Sequence, residues 1–460
     1  MEDARFCTRR RLLRMFGAGV GGAFLWPQLA SAQTSDYRAL VCVLLEGGSD
    51  GENTLIRYDS AGYQQYASVR PVASGINIPQ STLLPIQPLS QSVPFGLHPA
   101  CGPLQTLFNQ KKLAVIANVG MLKRPVTRAG LLANTDPRPS QLFSHADQVR
   151  QVQTGDATDI LQTGWGGRLA DRLSTFNAGN PFPPLTTVGG TRAFINGTTT
   201  IPLALPTSDF FAIMETGNSM ASDFQVTGLR DAALLQMLGE ARSNLYERAA
   251  QKLANQSLQS LTVVNPILGN RNTPVTALFN GQNSDIGLQL RQVARMIESR
   301  DKTGLKRQVF FVRQPLHDTH TGQLGTQQGL LSSLTSALQA FSDSMVALGL
   351  DQSVTTFTLS DFGRTFKPAN GAGTDHGWGN YAFVMGGAVK GGDFYGSVPT
   401  PVLGGPDDLG EDGRWIPTTS IEQYGATLAN WFGMDTQAMS YVFPNLASFP
   451  TRDLGFMTLA

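Results

Sequence analysis

Histidine is scarce in this 460-residue chain, with five in all: His98, His145, His317, His320 and His376. Three of them lie beside Asp318 and Asp375, in the segments Arg313–Thr321 (RQPLHDTHT) and Gly373–Gly377 (GTDHG). Asp and His side chains gathered in loops supply the oxygen and nitrogen ligands of a divalent ion. Two further segments carry carboxylates: Glu46–Thr54 (EGGSDGENT), with Asp50, and Ser360–Thr365 (SDFGRT), with Asp361 and Arg364. Ser144 and His145 open a helical stretch that ends at Thr154-Gly155. A hydroxyl at a helix start lies near unpaired backbone N–H groups, where an attacking oxygen and an anionic phosphate or sulfate group are both favoured. Each residue alone has a structural reading: an Asp capping a helix or turn, a Ser as N-cap, a His on the surface or in a hydrogen bond. Their joint placement is what points to a site.

That placement depends on the elements in between. Tyr37–Leu45, Leu113–Val119, Gln308–Val312 and Val354–Leu359 are continuous apolar runs, the pattern of strands buried on both faces of a parallel sheet. Helical stripes separate them: Leu234, Leu238, Ala241 and Leu245; Ile286, Leu290, Val293 and Ile297; and Leu334, Leu338, Phe341, Met345 and Leu348 before Gly349 as a stop. All three stripes read as core-facing. The fold class is therefore α/β, a mostly parallel sheet sandwiched by helices. In such sheets ligands bind outside the carboxyl ends of strands, where Glu46–Thr54, Arg313–Thr321 and Ser360–Thr365 fall. Residues 176–222 and 255–283, rich in Gly, Pro, Asn and Thr, read as excursions from the sheet that form a small β-rich insertion. No internal repeat is visible, which argues against a solenoid or propeller.

Composition narrows the class of function. There are 35 Lys or Arg and 34 Asp or Glu, and charged residues make up 15% of the chain, against about 25% in an average domain. This excludes an electrostatic nucleic-acid binder. The positive excess belongs to the N-terminus. Thr8 to Arg14 (TRRRLLR) precedes the apolar run Met15–Trp26 and the small residues Ala30-Ser31-Ala32, a twin-arginine signal over residues 1–32. The run is shorter than the ~18 residues that span a bilayer, so export with cleavage to the periplasm or beyond is expected, with no transmembrane segment afterwards. Removing five Arg and two acids from the 35 and 34 leaves 30 basic against 32 acidic side chains. Two cysteines remain, Cys42 and Cys101. They form no disulfide framework, and Cys42 reads as a small buried hydrophobe.

The mature chain, residues 33–460, resembles over nearly its whole length the secreted bacterial family called domain of unknown function 1501. The resemblance is carried by Leu44–Thr54 (LLEGGSDGENT), Phe95–Pro99 (FGLHP), Phe143–Gln148 (FSHADQ), Gly164–Arg168 (GWGGR), Asp318-Thr319-His320, Ser360–Thr365, Gly373–Gly377 and Gln423–Gly433 (QYGATLANWFG). That family is similar in fold to the alkaline phosphatase and sulfatase superfamily, which implies a single domain with insertions and a metal-dependent hydrolase of phosphate or sulfate esters. The resemblance implies Asp50 as the first-strand metal ligand, Ser144 as nucleophile, Asp318 with His320 as a middle ligand pair, and Asp361 and His376 as later ligands. The implied cofactor is one or two divalent ions, Zn, Mn or Ca, and the implied substrate is a small-molecule or polymer ester. Phe362 stands where the superfamily places the His of an Asp-His-Gly motif. This leaves open a single-ion site, a rearranged site in which His145 or Asp375 substitutes, and a protein without cofactor or activity that uses the fold for envelope binding or assembly. Arg364 either holds a substrate oxygen or anchors its loop. A Ser-His-Asp acyl hydrolase is disfavoured, because no Gly-x-Ser-x-Gly elbow follows a strand.

Overall fold

Strand β1 (Arg38–Leu45) is buried from Ala39 onward and lies inside a nine-stranded sheet. The structure, a computed structural model, describes residues 36–158, 160–209 and 224–459. The export signal expected over 1–32, and the end of the 176–222 insertion, lie outside the described residues. Across the sheet the order is β13 (Asp393–Tyr395), β5 (Leu113–Gly120), β12 (Asn380–Met385), β9 (Val354–Ser360), β1, β8 (Arg307–Gln314), β6 (Leu185–Thr187) and β7 (Leu203–Ala204), with β14 (Thr419–Ser420) also on β5. Every pairing is parallel except those of β12, which runs against β5 and β9. The sheet is thus mostly parallel, and the four apolar runs are four of its strands.

Alternation along β1 sorts its side chains into two layers. Ala39, Val41, Val43 and Leu45 enter a core shared with Leu290, Val293, Leu334 and Leu338, from the helices Asp285–Glu298 and Gln323–Ala347. Leu40, Cys42 and Leu44 face the other way, into a core with Val152, Trp165, Leu169 and Leu428. Those side chains come from the helices His145–Thr154, Trp165–Arg172 and Ile421–Phe432. Cys42 and Cys101 belong to these opposite layers, and both are free thiols.

Two expectations change. The stripe from Leu234 to Leu245 is broken: one helix ends at Gly239, the next begins at Leu245 behind its Asn244 cap, and Leu245 is exposed. Helical spacing continued across a gap that contributes no core. Segment 255–283 is also helical, within Leu245–Gly269 and Pro274–Leu278. The described part of 176–222 supplies β6 and β7 at the edge of the main sheet. A separate antiparallel sheet instead comprises β2 (Leu55–Arg57), β4 (Phe95–Leu97) and β3 (Leu84–Ile86).

Register aligns the functional edge. Leu45 pairs with Gln314 on one side and Ser360 on the other, so β1, β8 and β9 end together. β12 begins at that same edge because it runs in the opposite direction. After β9 the chain folds into a hairpin of β10 (Arg364–Ala369) and β11 (Gly373–His376), in which Arg364 opposes His376.

Helix Ile421–Phe432 packs on the back of the sheet. It opens on a capping box, Ser420 and Gln423 each bonding the other's backbone N–H, and closes on Gly433 at φ 110°. Its Glu422 is fully buried beside Asn445. Burial pushes this carboxyl up to about 8, the neighbouring Asn445 offsetting only part of the shift. A folded value above the ordinary 4.5 means that the proton is held more tightly in the folded chain, so this group's contribution is full at acid pH and is lost as pH rises toward 8. Glu422→Gln, neutral at every pH, is therefore expected to gain stability relative to the natural chain as pH is raised from about 5 to about 8, measured as the difference in urea midpoint.

Candidate metal centre

The turn after β1 is built to let other loops approach. Gly47 and Gly48 both have positive φ, 115° and 79°; a Cβ on Gly47 would lie 2.6 Å from the Asp318 backbone nitrogen, and one on Gly48 2.7 Å from the Phe362 ring. The loop after β8 reaches this turn through Leu316, held at φ 76°, and delivers Asp318 and His320. Across the edge, Phe143 at φ 75° turns the chain into helix His145–Thr154. Left-handed backbone at non-glycine residues costs roughly 1–3 kcal/mol each, and both positions flank the same cluster.

In that cluster the His145 Nε2, His376 Nε2 and Asp318 Oδ1 atoms form a triangle with sides of 3.0, 3.4 and 3.5 Å. Ligand atoms at ~2.05 Å from a tetrahedral ion lie about 3.3 Å apart. His320 Nε2 lies against one side of the triangle, 2.9 Å from both His376 Nε2 and Asp318 Oδ1.

The far side of each ring fixes what these atoms are. His145 Nδ1 faces Asp361 Oδ2 at 2.9 Å, His376 Nδ1 faces the Phe143 carbonyl at 2.7 Å, and His320 Nδ1 faces Asp375 Oδ1 at 3.2 Å. All three partners are acceptors, so each Nδ1 carries the proton and donates it. In the neutral rings the Nε2 atoms of His145 and His376 then present lone pairs to a shared point, where Asp318 adds a carboxylate oxygen, and His320 Nε2 lies beside the His376–Asp318 edge. The three acceptors that converge mutually, His145 Nε2, His376 Nε2 and Asp318 Oδ1, repel one another unless a cation or added protons come between them. The donor set therefore fits a divalent ion, with Asp361, Asp375 and the Phe143 carbonyl orienting its imidazoles from behind.

Electrostatics reinforce the arrangement. Hydrogen bonding to Asp361 holds His145 above the ordinary imidazole value. Desolvation lowers His376. Burial alone would raise Asp318, but Arg364 Nη1, donating at 2.8 Å, holds it below the usual carboxylate range. Arg364 is itself buried, and its other donors go to the Thr374 hydroxyl and carbonyl. It anchors the loop and Asp318 rather than facing a substrate. Phe362 packs its ring on His145 and His376, with centroids 4.7 and 4.8 Å away, and forms an apolar wall where a further imidazole was at issue.

Of the residues singled out in the sequence, the structure brings His145, Asp318, His320 and His376 together and sets Asp361 and Asp375 behind them. Asp50 is not among them. It caps helix Gly51–Thr54 and is held in a buried pair with Arg70 at 2.8 Å, so it is corrected here from ligand to structural carboxylate. Ser144 is the N-cap residue of the ten-residue helix, but its hydroxyl makes no capping bond and donates to Asp147 Oδ2 at 2.6 Å. His98 and His317 are buried, held down to about 4 by desolvation, and stand apart from the cluster. Sequence reasoning missed Asp147, which the Ser-x-x-Asp spacing could have shown. It also missed the Phe143 carbonyl and Arg70, which carry no sequence signal.

These features define an α/β protein with a His–Asp centre at the carboxyl edge of its sheet. The chain belongs to the family described as protein of unknown function (DUF1501), which matches residues 37–445. No curated protein is a significant match. Among solved structures, the chain is similar to the lipoteichoic acid synthase LtaP from Listeria monocytogenes, at 10% identity over 87% of this chain and 72% of that one, with a TM-score of 0.35. It is also similar to the PsFucS1 sulfatase from Pseudoalteromonas sp., at 8% identity over 92% and 72% with a TM-score of 0.32. A third is the C-terminal periplasmic domain of EcEptC from Escherichia coli in complex with Zn, at 9% identity over 76% and 72% with a TM-score of 0.28.

Removing the acceptor behind His145 tests the centre. Asp361→Ala is expected to weaken zinc binding about 10- to 100-fold in calorimetric titration. Because Asp361 raises the His145 value, proton competition in the natural chain should begin above the ordinary 6.5. In the variant, affinity should start to fall only at lower pH.

Proposed function

We propose that this protein is a metal-dependent hydrolase of phosphate or sulfate esters, exported by the twin-arginine pathway to the periplasm or beyond. The observation that carries the reading is the Nε2–Nε2–Oδ1 triangle of His145, His376 and Asp318 beside the helix that Ser144 begins. His145, Asp318 and His376 would hold the ion, with His320 beside the His376–Asp318 edge of the set. An imidazole-rich set supports zinc or manganese over calcium, which takes oxygen ligands. When bound, the ion supplies a Lewis acid that neutralises charge on the ester group.

The chain's own residues do the rest. Ser144 attacks phosphorus or sulfur and passes its proton to Asp147, already its hydrogen-bond acceptor. The bond to the ester's alcohol oxygen breaks, the alcohol leaves with a proton, and water then cleaves the serine ester to free phosphate or sulfate and restore Ser144. The first backbone N–H groups of helix His145–Thr154 have no acceptor within the helix and favour the anionic group beside that hydroxyl. Asp318 has 42% of its side chain exposed, so a small-molecule or polymer ester can reach the centre. Phe362 favours a second reading, a non-catalytic envelope protein that keeps this fold for binding or assembly.

Metal analysis of the exported protein, followed by assays with aryl phosphate and aryl sulfate, separates the readings. The expected result is bound ion and turnover that Ser144→Ala lowers by several orders of magnitude. Bound ion without turnover of either ester supports the second reading, and absence of both ion and Ser144-dependent turnover overturns the proposal.

A further inference from the structure

The first-strand Asp50, implied as a metal ligand by resemblance, has no coordinating capacity left. Its Oδ1 accepts from the Glu52 and Asn53 backbone N–H groups at 2.9 and 3.1 Å and from Arg70 Nη2 at 3.3 Å. Its Oδ2 accepts from Arg70 Nη1 at 2.8 Å and from the Gln323 amide. A carboxylate offers about four lone-pair sites, and here five donors occupy them. Arg70 is equally committed: its remaining donors reach the Phe366 carbonyl at 2.8 Å, the Thr365 carbonyl at 2.9 Å and Asn53 Oδ1 at 2.5 Å. The two side chains are 1% and 0% exposed. Stripping one from the other would leave an unpaired buried charge.

We infer that the centre binds one ion per chain, and that the Arg70 guanidinium permanently takes the place of a second cation on Asp50; this rests on reading the His–Asp cluster as a metal centre. Two observations agree. Phe362 sets an aromatic ring with no ligand atom against His145 and His376. Among the described residues, no other group of three or more His, Cys, Asp or Glu side chains converges closely enough to hold an ion.

The internal cation also has a route to the centre. Gln323 links Asp50 to the Thr374 hydroxyl, which donates to its Oε1 at 2.6 Å. Thr374 accepts from Arg364 Nε at 3.2 Å, and Arg364 donates to Asp318 at 2.8 Å. A chain of hydrogen bonds thus runs from the buried Asp50–Arg70 pair to Arg364, the residue that contacts Asp318 directly.

Zinc titration of the metal-free exported protein by calorimetry, checked by metal analysis after dialysis, counts the ions. The natural chain is expected to bind one equivalent, and His376→Ala to lose it. The double variant Asp50→Asn/Arg70→Met, which removes both buried charges together, is expected to keep one equivalent with affinity within ~10-fold. Two equivalents in the natural chain overturn the single-ion inference and leave the metal centre standing. A folded double variant that binds none shows Asp50 to be a ligand and overturns it as well. No zinc in the natural chain overturns the centre itself and this inference with it. If the double variant does not fold, the count on the natural chain decides alone.

Discussion

The convergence of acceptors at one point is the constraint around which this molecule is arranged. Three imidazoles are oriented from behind by groups that only accept, so their free nitrogens face one another and a carboxylate. No local segment would adopt this unaided, because the atoms repel. It requires a rigid frame that brings together a helix start, two strand ends and a hairpin. The parallel register of β1 with β8 and β9 supplies that frame by ending all three strands in line.

Holding the loops this close shapes the backbone. Gly373 sits where a Cβ would meet the His320 carbonyl group at 2.1 Å, and Gly363 where one would meet the Gly379 oxygen at 2.0 Å. Phe143 and Leu316 accept left-handed conformations that glycine would adopt at less cost. Phe143 shows why a larger residue is kept there: its carbonyl fixes the His376 tautomer, and its ring lies under the Arg414 guanidinium, 5.2 Å from the centroid.

The low charge content has a counterpart in how the buried charges are used. Arg70 with Asp50 is a guanidinium–carboxylate contact buried on both sides, and in Arg364 with Asp318 the guanidinium is buried and the carboxylate open; the other donors of both arginines are taken by backbone or side-chain oxygens. Such pairs contribute little net stability compared with apolar packing but hold a unique geometry when every donor is satisfied. Here they fix the position of Asp318, the carboxylate of the centre.

The four principal strands, the two-layer burial and the sheet edge at which the acidic segments gather were legible in the sequence, because continuous apolar runs and helical stripes report burial directly. The stripe from Leu234 to Leu245 misled because spacing records the helical period but not whether anything packs against it. Residue types at the strand ends also identified Asp318, His320 and His376 as candidates, and the family resemblance brought in His145 at a helix start. Which carboxylates remain available to an ion was decided by tertiary structure alone. A carboxylate's coordinating capacity depends on what else donates to it, and the donors that saturate Asp50 come from Arg70 and Gln323, 20 and 273 positions away in the chain.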